Sequence, residues 1–110
     1  MNYNIHITRA AENDMNEAAD YIELVLMNPT AANDLLDEAS RKINALKLFP
    51  EKHQLTGDPF LDAWGIRFTV INNYLAFYIV SAEDSVVYIV RFLYQRRDWA
   101  NILRKGIELY

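Results

Sequence analysis

Arg91, Arg96 and Arg97, three of the chain's seven arginines, fall within the short stretch RFLYQRRDW. It follows directly on an apolar run, VVYIV. A guanidinium group is a rigid fork of donors that matches the oxygens of carboxylates and phosphates. A basic spot at the end of a strand therefore suits an anionic partner. The alternative is structural. Asp98 follows at once and can hold one arginine in place, so that the group only ties the last strand to a C-terminal helix. Trp64 and Trp99 are candidate contact anchors, and Trp99 is also placed to pack that helix onto the sheet. No cysteine is present, which excludes disulfides and thiolate chemistry and permits a reducing cytoplasm as the setting. His6 and His53 lie far apart in sequence and read as surface or edge residues, so no metal and no cofactor is expected.

The arginines stand out because the chain is acidic, with a net charge of −4 over 110 residues. Residues 1–63 hold five Lys/Arg against eleven Asp/Glu, a net of −6; residues 64–110 hold six against four, a net of +2. The length fits one domain, residues 1–110, with a modest core. No apolar run reaches the ~18 residues needed to span a bilayer. The first residues, MNYNIHITRAAEND, show no basic segment leading into a long apolar one, so no secretory signal and no membrane partner are expected.

Several elements must position the arginines. YNIHIT alternates and reads as a first strand. Thr8 can cap the helix that follows. In that helix Ala11, Met15, Ala18, Ile22 and Val25 form an apolar stripe, and Glu12, Asp14, Glu17, Asp20 and Glu23 a solvated acidic side. Thr30 is a second N-cap, opening a helix with Ala32, Leu35, Leu36, Ala39, Ile43 and Leu46 on one stripe. The short connection makes the pair an antiparallel hairpin. PEKHQLTGDPFLD reads as a loop broken by Gly57 and Pro59. Three strands follow, with a tight turn at Asn72-Asn73 and another around Glu83-Asp84. A short helix ends near Gly106. The order is β-α-α-β-β-β plus a small helix, an α+β fold with a helical hairpin on an antiparallel sheet.

Hairpin register sorts the strand residues. Ile71 should pair with Tyr74, Arg67 with Tyr78, Ser81 with Val86 and Ala76 with Arg91. One face then carries Arg67, Thr69, Ile71, Ala76, Tyr78, Ile89, Arg91 and Leu93. The other carries Ile66, Phe68, Val70, Leu75, Phe77, Val90 and Phe92 and is almost wholly apolar. Taken alone, this pattern puts the second face beneath the helices. Both faces are rich in apolar residues, however, so two covers are needed, or a partner.

In this order and spacing the motifs resemble a family. NPTAA at the helix junction, LKLFP at the hairpin's end, GIRFTVINNYLAFYIV and VVYIVRFLYQRRDWANIL are similar to the RelE/ParE toxins of bacterial type II toxin–antitoxin modules, over nearly the whole chain. The resemblance implies that family's fold, growth inhibition, association with plasmid stabilisation, and neutralisation by a cognate antitoxin. RelE-type members cut messenger RNA on the ribosome and tend to carry basic residues where this chain has Leu75 and Val70. Under that alternative only Tyr94, Arg96 and Arg97 remain as catalytic candidates, and Tyr94 could move a proton only with its pKa lowered from near ten. The ParE-type pattern is closer, with Arg67 seven residues before Tyr74 and apolar residues after it. That pattern implies inhibition of DNA gyrase without chemistry of its own; a pI near 5 is also a poor match for RNA. A degenerate, non-toxic member is the third reading. The residues implied in target or antitoxin binding are Arg67, Arg91, Tyr94, Arg96, Arg97 and Trp99. In RelE-type relatives the position of Leu75 faces away from the helices. That implies Arg67 and Arg91 on the hairpin side, each needing a carboxylate or carbonyl partner, and the phenylalanine face left for the tail or an antitoxin segment.

Overall fold

The structure, a computed structural model, describes residues 2–110. Strand β1 (Asn4–Ile7) leads into α1 (Arg9–Asp20), a π-helical turn (Tyr21–Val25) and α2 (Pro29–Asn44). A short helix α3 (Pro59–Ala63) precedes β2 (Arg67–Ile71), β3 (Tyr74–Ser81) and β4 (Val86–Tyr94), and α4 (Trp99–Arg104) follows. The sheet order is β1-β4-β3-β2: an antiparallel meander, extended at one edge by β1 lying parallel to β4. This is the expected α+β architecture.

Thr8 does two jobs at the first junction. Its hydroxyl accepts from the Ala11 N–H at 3.2 Å, capping α1, and donates to the Ile89 carbonyl at 2.8 Å. The helix start is thereby tied to the central strand. The second helix opens earlier than expected: Asn28, not Thr30, is the cap, accepting from the Ala31 N–H at 3.1 Å. Pro29 occupies the first helical position, where its missing N–H costs nothing. The same device hides in the supposed loop. Asp58 caps α3 by accepting from the Phe60 and Leu61 N–H groups, with Pro59 first in the helix.

Both faces of the sheet are covered. Leu35, Ala39, Ile43 and Leu46 of the hairpin side pack on Ile71, Ala76, Tyr78, Ile89 and Phe92. On the opposite face Leu61 of α3 and Leu103 of α4 meet Ile66, Leu75, Phe77, Val90 and Leu93. The hairpin therefore covers the arginine face, and the C-terminal segment covers the phenylalanine face, against the simple hydrophobic pattern. Polar groups under these covers are paired. Tyr78 is fully buried and its hydroxyl donates to the Pro50 carbonyl at 2.6 Å; burial pushes its pKa up, so it stays a donor. Arg67 donates to the His53 carbonyl at 2.7 Å.

Three expectations fail here, for identifiable reasons. Ala76 pairs with Phe92 rather than Arg91, because the ladder slips between Phe77 and Tyr78: Phe77 lies opposite Arg91 and Tyr78 opposite Ile89, leaving Val90 extra. Such a bulge shifts every later side chain by one position. Phe92 thus turns to the hairpin and Leu93 to the opposite core. Asp14 is not solvated; it is 9 % exposed and bonded to β4. Val25 is not on the apolar stripe. In the π-helical turn the Leu26 N–H reaches back to the Tyr21 carbonyl at 3.1 Å, and the wider turn swings Val25 outward.

Candidate functional site

The site is built around Asp14. This residue lies three positions after Ala11 and four before Ala18, so α1 turns it toward the sheet with those two alanines. Its Oδ2 accepts from Arg91 Nε at 2.6 Å and its Oδ1 from Arg91 Nη2 at 2.9 Å. Oδ2 also accepts from the Phe92 N–H at 3.0 Å. The bidentate pair bridges helix and strand, and the third bond occupies a strand donor that the bulge takes out of register. The Asp14 carboxylate holds the Arg91 guanidinium up, against the opposing effect of burial. Arg91 is thus a charged strut.

Beside this pair runs an open groove of about 730 Å³ between α1 and the end of the sheet. Asp14, Glu17, Ala18, Tyr21 and Ile22 form one wall, with Leu26 beyond them. Asn73, Tyr74, Phe92, Tyr94 and Arg97 form the other. Tyr74 stacks on Phe92 with ring centres 5.0 Å apart and meets Tyr94 edge-on at 5.6 Å. Burial raises the Tyr74 pKa, and neighbouring Tyr94 and Tyr21 add to the rise, so its hydroxyl stays protonated near neutrality. Four aromatic rings and three aliphatic side chains make most of the groove lining, with carboxylates at its helix wall and a guanidinium at its far end. Surfaces of that composition hold peptide side chains by burial and choose among them by charge.

The sequence-derived residues separate into groups. Tyr94 and Arg97 line the groove, and Arg91 supports it through Asp14. Arg96 stands exposed next to Arg97; among the described residues neither takes part in an ion pair. Asp98 does not hold them: its Oδ2 accepts from Asn101 Nδ2 at 2.6 Å. Arg67 lies on β2, bonded to His53, away from the groove lining. Trp99 is on the opposite face, 5.2 Å from the Phe77 ring. Glu17 and Tyr21 were missed as site residues, and Asp14 was misplaced. For Asp14 the signal was present, since a carboxylate within an apolar helical stripe calls for a buried partner.

This separation makes a stability test. Arg67→Ala should lower stability by about 1–2 kcal/mol, through loss of a charge-assisted bond at a partly buried site. Arg96→Ala and Arg97→Ala should each stay within about 0.5 kcal/mol of the parent, as exposed positions do. Urea denaturation midpoints measure both; equal losses at all three positions would contradict the assignment.

Residues 5–99 match the family described as ParE toxin of type II toxin-antitoxin system, parDE. No curated protein sequence matches. A chain of the chromosomal ParDE toxin–antitoxin system from P. aeruginosa is similar in structure, with a TM-score of 0.67 and 18 % identity, covering 84 % of this chain and 95 % of that one. A chain of the RelBE2 toxin–antitoxin complex from Mycobacterium tuberculosis gives 0.58 and 15 %, covering 88 % and 95 %. At those identities the likeness is one of fold.

Proposed function

The chain belongs to the ParE toxin family of type II toxin–antitoxin systems, and from that membership we propose that a cognate antitoxin restrains it and that, once free, it inhibits DNA gyrase. The observation that carries the choice of target is Leu75. At 7 % exposure it lies in the core beneath α4, where it can meet no substrate. Val70, the other position where RNA-cutting relatives tend to carry a basic residue, is exposed but apolar. A ribonuclease of that type must orient a ribose hydroxyl, offset phosphate charge and protonate a leaving oxygen. Neither side chain does any of these. Glu17 in the groove wall also repels a phosphate backbone.

In this reading the groove is the antitoxin's seat. Purified toxin added to gyrase and relaxed plasmid should block supercoiling, and the antitoxin should restore it. Unchanged supercoiling at high toxin excess would sink the gyrase reading. One observation favours a ribosome-dependent nuclease: Tyr94 and Arg97 share the groove, with Arg96 free beside them. Primer extension on translated messages after induction separates the two, since codon-linked cuts belong to the nuclease alone.

A further inference from the structure

The end of the helical hairpin, outside the groove's inner walls, exposes an unusual amount of apolar surface. Leu24, Val25, Leu26 and Met27 are consecutive and all exposed, Leu24 by 68 % and Met27 by 82 %. The π-helical turn is the cause. It widens α1 by one residue, and Met27 closes the connection with a left-handed φ of 52°. A non-glycine residue there accepts some backbone strain, so the fold pays to display this segment. Tyr21 and Leu26 belong both to this tip and to the groove wall. The two surfaces are continuous.

The rim of the tip has one sign of charge. Between Ala10 and Ser40 the chain has eight carboxylates and no lysine or arginine. Asp14 is neutralised by Arg91, whereas Asp20 and Glu23 are exposed beside the tip and Glu17 is exposed in the adjoining groove wall. That pattern rejects several occupants. A second copy joined about a two-fold axis would set this acidic rim against itself. Nucleic acid and anionic lipid carry the same sign.

We propose that the hairpin tip is a docking surface for an antitoxin segment whose apolar side chains cover Leu24 to Met27 and whose lysines or arginines pair with Asp20 and Glu23. This rests on the reading that the chain has a cognate antitoxin. It adds that the antitoxin's grip extends beyond the groove, and that a cationic flank selects it.

The test measures binding of the cognate antitoxin to the full chain by titration calorimetry and stopped-flow. Leu24→Ser with Met27→Ser should weaken binding about tenfold, the scale of losing buried apolar anchors. Asp20→Lys with Glu23→Lys should slow association and flatten or reverse its salt dependence, as charge steering requires. Urea midpoints equal to the parent's would show that these exposed changes leave the fold intact. If the parent chain binds no antitoxin, the underlying reading fails. If the parent binds and both variants bind within twofold of it, the tip proposal alone is overturned. Sedimentation of the chain by itself gives a further outcome: self-association that the Leu24 and Met27 changes abolish would assign the tip to a second copy and also overturn the proposal.

Discussion

Asp14→Ala should destabilise the chain by about 3 kcal/mol or more, the scale for removing one partner of a buried ion pair. Three bonds go at once: two from the Arg91 side chain and one from the Phe92 N–H. The Arg91 side chain keeps some contact with solvent, at 25 % exposure, which moderates its own penalty. The Phe92 N–H is buried and gains no replacement, which adds about 1–3 kcal/mol. Against a total stability of about 5–15 kcal/mol for a domain, the loss is large. Asp14→Asn retains a carbonyl acceptor for Phe92 and should lose clearly less. Replacing the pair by apolar residues of similar volume should be milder than removing Asp14 alone. Denaturant midpoints for the three variants decide it. A change below 1 kcal/mol in Asp14→Ala would show that the pair is not a strut, and that the bulge stands without it.

Phe77→Ala should cost about 3–5 kcal/mol, as expected for deleting a fully buried aromatic ring. Phe77 has no exposed surface, and its ring lies 5.2 Å from Trp99 and 6.1 Å from Phe68. The loss is therefore felt beneath α4, not beneath the hairpin. Trp99 emission should shift to the red together with the fall in midpoint. A destabilised variant whose tryptophan emission is unchanged before unfolding would contradict the packing of α4 on this face.

Much of the fold was legible because local chemistry and burial agreed. Asn72 takes the left-handed φ of 54° that the turn requires, and Ile71 pairs with Tyr74 as the register demands. Thr8 caps α1 as its position suggests. Proline was the recurring source of error. Pro29 and Pro59 read as breakers, yet each follows an Asn or Asp cap and opens a helix. The bulge at Val90 could not be read, because the side chains give no sign of it until Asp14 is seen to take the Phe92 N–H. The groove was half legible for the same reason. Phe92, Tyr94 and Arg97 of its strand wall lie in one motif, while its helix wall depends on which way α1 turns.

The parallel pairing of β1 with β4 has a consequence in time. Thr8 bonds Ile89 across 81 positions, and Asp14 bonds Arg91 across 77. At a ribosomal pace of about 5–20 residues per second, α1 leaves the exit tunnel several seconds before its partner strand. Until β4 emerges, the hairpin has no sheet to close against, and half of the groove does not exist. A nascent chain therefore lacks the complete groove until β4 has emerged. The groove is completed only when β4 pairs with β1 and β3 and brings Phe92 and Tyr94 opposite α1.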